Sequence, residues 1–196
     1  MASLTYQGHG SFRLESADGT VVYVDPFAGS GYENPADLIL VSHEHYDHTA
    51  TEKCAKKSDC KIFRAADLLV DGEYKTVTVK GVTVTAVPAY NKNHPKDECV
   101  GFIITIDGKK IYAAGDTSTT DYMTEMSALS LDLAILPTDG IFNMNVAEAS
   151  ECAKIISAKH SIPIHTKPGS LFDRKIAEKF DCDGRIIVQP EETINI

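Results

Sequence analysis

At 196 residues with a formal charge of −9, the chain is long enough to bury one sizeable core, and no Pro/Ser/Gly-rich linker divides it, so residues 1–196 are expected to form one domain. The acidic balance, without a Lys/Arg stripe, disfavours nucleic acid and anionic membranes as partners; Met1-Ala2-Ser3-Leu4 does not read as a charged leader and no apolar run reaches membrane length, so a cytoplasmic protein acting on a small molecule is expected. Five cysteines, an odd number with no Cys-x-x-Cys spacing, are expected to be reduced thiols.

The chain opens with strands at 12–16 and 20–25 around Ala17-Asp18-Gly19, a hairpin signal. A Gly/Pro-rich loop follows Asp25-Pro26-Phe27. Then Leu38-Ile39-Leu40-Val41 is too short for a globular helix and suits a strand buried on both faces. Residues 51–57 read as a short helix and 65–69 as a helical turn. Strands are expected at 76–79, 82–87, 100–106 and 110–114, with Asp107-Gly108 turning between the last two. Residues 133–136 form a buried strand stopped by Pro137. Residues 146–159 carry apolar side chains at helical spacing, with Asn143 or Asn145 as cap. A short strand at 162–164, a helix at 171–180 and a strand at 185–188 complete a mixed α/β layered domain.

The strand at 38–41 runs straight into His43, His45, Asp47 and His48. In extended backbone, positions two apart point to one side, so His43 and His45 can bring both imidazoles to one ion, while Asp47 and His48 are placed for a second. Imidazole and carboxylate together suit zinc, manganese or iron better than calcium or magnesium, which prefer all-oxygen shells. The same order, apolar strand then ligand-type residue, recurs at Gly115-Asp116-Thr117, at Ile164-His165, and after residues 84–88 at Asn91 and His94. A carboxylate such as Asp116 can bridge two cations. Lys92, Lys96, Lys167, Tyr90 and Tyr122 flank these segments and are candidates for substrate contact.

The His43-x-His45-x-Asp47-His48 signature, with Gly115-Asp116-Thr117 and His165 downstream, resembles the metallo-β-lactamase superfamily. Gly8-His9-Gly10-Ser11-Phe12 on the opening strand, Val24-Asp25-Pro26-Phe27 and Pro88-Ala89-Tyr90-Asn91 make it similar to the small hydrolase branch that includes sugar-phosphate lactonases and the N-acyl phosphatidylethanolamine phospholipase D. The resemblance implies a four-layer αββα sandwich and two divalent transition-metal ions, zinc first, with manganese or iron as alternatives. It implies that His43, His45 and a third histidine hold one ion, that Asp47, His48 and His165 hold the other, and that Asp116 bridges them. Asp25 and His9 would orient the histidine loop, and Asp47 would position the attacking water. Where the family places its third histidine this chain has Asn91, so His94, three residues on, is expected to supply the imidazole. The implied activity is hydrolysis of a small ester, lactone or phosphoester; a non-catalytic metal-binding or regulatory protein, or a nuclease, are the alternatives.

Overall fold

The computed structural model describes residues 1–196. In chain order the elements are β1 (Ser3–Gly8), β2 (Ser11–Glu15), β3 (Val21–Val24), β4 (Ala36–Val41), β5 (Lys56–Arg64), α1 (Ala65–Leu68), β6 (Leu69–Val70), β7 (Glu73–Tyr74), β8 (Thr76–Val79), β9 (Val82–Pro88), β10 (Val100–Ile106) and β11 (Lys109–Ala113). They continue with β12 (Leu133–Pro137), α2 (Val146–Ile156), β13 (His160–Ile164), α3 (Arg174–Ala177) and β14 (Thr193–Asn195). No helix is long and apolar enough to cross a membrane. All five cysteines are free thiols.

Two six-stranded sheets face each other, ordered β14-β1-β2-β3-β4-β5 and β13-β12-β11-β10-β9-β8. Leu4, Phe12, Leu14, Val22, Leu38 and Leu40 from the first interleave with Val84, Phe102, Ile104, Ile111, Ile135 and Ile162 from the second. Burying each large apolar side chain contributes roughly 1.5–3 kcal/mol, so this seam fixes the distance between the sheets. The outer face of the second sheet, Tyr112, Ala134 and Leu136, is covered by α2 through Ala149, Cys152 and Ile156 and by a 3-10 segment at Asp121–Leu129 through Met123 and Met126. The outer face of the first, Tyr23, Ile39 and Val41, lies under Tyr32 and Cys54, so loop and a 3-10 turn cover it where a short helix was expected. The αββα order holds, with a reduced outer layer on the first sheet.

Strand β4 has every residue buried because β3 and β5 flank it and both faces are covered. Its one acid, Asp37, accepts from the Val21 N–H at 2.9 Å and from Lys57 and Lys80 at 2.6 and 2.7 Å. The turn between β10 and β11 needs left-handed backbone at Asp107 and Gly108, the reason Asp-Gly marks it. Helix α2 starts where Asn145, not Asn143, caps the N–H groups of Ala147 and Glu148. It stops at Ile156, short of 159, because Ser157 turns left-handed.

Other expectations are corrected. Residues 51–57 give only a 3-10 turn, Thr51–Lys53, before the chain enters β5, parallel to β4. Strand β5 is an edge strand bathed on one side, so its sequence lacks the apolar alternation that marks a strand. Gly8 closes β1 and Ser11 opens β2, so His9-Gly10 is a turn and the motif is not one continuous strand. The helix expected at 171–180 is the single turn α3, started by the Asp173 cap. Residues 185–188 make one bridge, Arg185 with Ser161, and no ladder. On that side of β13 the next donor after Ser161 would be Pro163, which has no N–H. The sheet gains β14 beside β1 instead.

Candidate metal centre

Every candidate ligand sits just beyond a strand end. His43, His45, Asp47 and His48 follow β4, His94 follows β9, Asp116 follows β11 and His165 follows β13. The structure gathers them into two groups that share a wall. His43, His45 and His94 present nitrogens within 4.8 Å of one another, and so do the ligand atoms of His9, Asp47, His48 and His165. Asp116 touches both: its Oδ1 is 3.4 Å from His48 Nε2, and its Oδ2 is 3.4 Å from His94 Nε2 and 3.5 Å from His165 Nε2. His45 is exposed and Asp47 half-buried, so the cluster opens outward on their side.

His43, His48, His94 and His165 each have a polar group facing Nδ1. His43 Nδ1 is 2.9 Å from Ser42 Oγ, which itself donates to Asp25 Oδ2, and His94 Nδ1 is 2.9 Å from Asn91 Oδ1. His48 Nδ1 makes an ion-pair contact of 3.0 Å with Asp25, and His165 Nδ1 one of 3.1 Å with Asp139. The four inward Nε2 atoms have no hydrogen-bond partner although buried. Unpaired buried polar atoms are costly, and acceptors on Nδ1 leave the Nε2 lone pairs free to bind a cation. Two ligands held ~2.1 Å from one ion at a tetrahedral angle stand about 3.4 Å apart, the spacing found around Asp116. The donor set therefore fits divalent transition ions.

Charge arranges the same way. Burial, then the neighbouring His48 ring, pushes the His43 imidazole down to about 2 against the pull of Asp116, so it is neutral. Burial also works against a charge on His48, but Asp116 and Asp25 outweigh it and raise its pKa well above the usual histidine value. Asp116 is held well below the carboxylate range, its burial outweighed by His48 and His165. Backbone at His9, Asp25 and His165 is left-handed, with φ of 53°, 46° and 47°. Such strain in non-glycine residues persists where surrounding structure enforces it. Gly10 is needed for space: a Cβ there would lie 2.9 Å from the His48 ring.

His94 is the imidazole that joins the three-histidine group, and Asn91 orients it from behind. Asp25 holds the histidine loop as expected, through the Ser42 N–H at 2.7 Å and through His48. His9 does more than orient: its Nε2 lies 3.0 Å from Asp47 Oδ2 and its ring centroid 3.7 Å from that of His165. Asp139 and Ser42 were not singled out as outer partners. Asp139 had a readable signal, since it follows Pro137 at a strand end as Asp116 and His165 follow theirs. Of the candidate substrate contacts, Lys92, Lys96, Lys167, Tyr90 and Tyr122 line no part of the cleft above the cluster. Lys96 sits over the Tyr90 ring and Tyr122 packs near α2.

Two facing mixed sheets with ligand-bearing loops at one end define a β-lactamase superfamily domain, and the model of that domain matches residues 3–165. Within the superfamily, the chain belongs to the UPF0173 metal-dependent hydrolase family. A member from Methanoculleus marisnigri is 33% identical over 83% of this chain and 80% of its own, and one from Thermococcus kodakarensis is 28% identical over 100% of both. A crystal structure of a candidate metal-dependent hydrolase from Parabacteroides distasonis superposes with a TM-score of 0.76 at 29% identity, covering 96% of this chain and 92% of that one.

Proposed function

We propose that the protein hydrolyses a small ester, lactone or phosphoester with two divalent transition ions, zinc first and manganese or iron as alternatives. The observation that carries this is the ring of partnerless Nε2 atoms around Asp116. In this reading His43, His45 and His94 hold one ion, Asp47, His48 and His165 hold the other, and Asp116 spans them. Ions held there supply a hydrolytic nucleophile at neutral pH and Lewis-acid polarisation of the scissile group.

The chain supplies the proton path. Burial raises the Asp47 carboxyl, but the His9 hydrogen bond and the His48 charge outweigh it and bring it to about 2, so it stays ionised. Asp47 orients the attacking water as an acceptor and hands its proton to His9, which returns it to the leaving oxygen. The resemblance expected from the sequence motifs to sugar-phosphate lactonases and to the N-acyl phosphatidylethanolamine phospholipase D, which the matched relatives do not share by name, suggests first substrates to try. Purified under metal-replete conditions, the protein should carry about two transition ions per chain and lose turnover on a lactone, ester and phosphodiester panel in Asp47→Ala and His45→Ala. Fewer than about one ion per chain refutes the reading. Full metal loading with no turnover across the panel favours a metal-binding or regulatory protein.

A further inference from the structure

The cleft above the cluster encloses about 860 Å³ and is walled, beyond the ligands, largely by Phe27, Tyr46, Phe142 and Leu171. Tyr46, Phe142 and Leu171 are 79%, 49% and 47% exposed, unusual for large apolar side chains beside a polar cluster. A phosphate or carboxylate remote from the scissile bond, out of reach of ions at the cluster, calls for a free cation on the wall. The one lysine there, Lys53, is engaged: its ammonium donates to the Phe27 and Gly29 carbonyls and lies 5.0 Å from the Tyr32 ring centroid. No arginine lines the cleft; nearby Arg64 pairs with Glu44 at 2.8 Å.

Two of these apolar groups are also fastened to the ligand set. The Phe142 N–H donates to Asp139 Oδ1 at 2.7 Å, and its carbonyl accepts from Asn91 Nδ2 at 2.9 Å and Asn93 Nδ2 at 3.0 Å. Asp139 and Asn91 are the outer partners of His165 and His94. The Leu171 carbonyl accepts from the His9 N–H at 2.6 Å and from Tyr6 Oη at 3.2 Å. Exposed apolar side chains held in register with a polar centre are a preorganised binding wall.

We infer that the cleft takes a substrate whose non-reacting part is an uncharged alkyl or aryl group resting on Phe142 and Leu171, with the scissile bond at the cluster. The inference rests on the hydrolase reading above and narrows it: the substrate carries no charged group away from the scissile bond. Its test has a binding arm and a kinetic arm on the metal-loaded protein. Saturation-transfer NMR with hexan-1-ol should show transfer to the alkyl protons, cut by more than half in Phe142→Ala and Leu171→Ala. Absent transfer, or transfer that both variants leave unchanged, overturns the inference. Circular dichroism confirms that the variants fold.

In the kinetic arm, kcat/KM along p-nitrophenyl acetate, butyrate and hexanoate should rise roughly fourfold per added methylene while the pocket fills. Phe142→Ala should raise KM for the hexanoate on the order of tenfold with kcat little changed. Turnover confined to substrates that carry a second, non-reacting anionic group, such as a sugar-phosphate lactone, overturns the inference and leaves the hydrolase reading intact. Hexanol binding at Phe142 and Leu171 with no turnover on any substrate does the reverse.

Discussion

Asp139→Asn separates two jobs of one carboxylate. Oδ1 accepts from the N–H groups of Ile141 and Phe142 at 2.7 Å each, and Oδ2 accepts from Asn143 Nδ2 at 2.7 Å and faces His165 Nδ1 at 3.1 Å. Asparagine keeps one oxygen for the loop but turns an amide NH2 toward His165. His165 then avoids a donor–donor clash only by moving its proton from Nδ1 to Nε2, which removes the lone pair aimed at the cluster. Loss of an outer partner of this kind costs ~10–100-fold in metal affinity, or ~1.4–2.8 kcal/mol. On the proposed two-ion reading the loss should fall on one ion, because His43, His45 and His94 do not touch Asp139. Competition with a chromophoric chelator resolves the two dissociation constants. Asp139→Ala should weaken the same ion and also leave the loop N–H groups without their acceptor, costing the metal-free protein about 2 kcal/mol and lowering Tm by roughly 4–8 °C, a loss that Asn largely avoids. Two wild-type metal affinities in Asp139→Asn would refute the reasoning.

The opposite wall gives a second contrast: His94→Ala should drop the stoichiometry by about one ion per chain, whereas Asn91→Ala should keep both ions and weaken one by roughly tenfold, read by elemental analysis and chelator competition. Buried Asp37 gives a pH prediction away from the cluster. Burial raises its carboxyl, but Lys57, Lys80 and the Val21 N–H more than reverse that and leave it below the usual value. Its stabilisation is therefore complete above the unfolded carboxylate value of about 3.9 and is lost as pH falls through the lower folded value. Asp37→Ala should cost about 3 kcal/mol at neutral pH and flatten the fall in denaturant midpoint as pH drops below about 3.9; an unchanged acid dependence would contradict the assignment.

Most strands were legible where burial on one or both faces wrote itself into the residues, as in β4, β10 and β12. Strand β5 was not, because an edge strand carrying Lys56, Lys57 and Asp59 takes its conformation from pairing with β4 and not from its own pattern. The C-terminal ladder was misplaced because Pro163 ends pairing on β13, a constraint that acts only once the neighbouring strand is known. Among site residues, the ligand-type side chains declared themselves by following apolar strands. Ser42 and Asp139 did not, since an outer partner is defined by which ring nitrogen it faces.

The sequence by itself marked His43, His45, Asp47 and His48 as candidate donors, because that signature after a buried strand is local chemistry. It also determined that the remaining donors come from other strand ends. Only the tertiary structure decided that Asn91 stands behind His94, that four Nε2 atoms are left bare around Asp116, and that the cleft wall is apolar with its lysine engaged. Apart from the local Asn91–His94 contact, those properties depend on short distances between residues tens of positions apart in the chain, and such distances are set by the packing of two sheets, which no local pattern encodes.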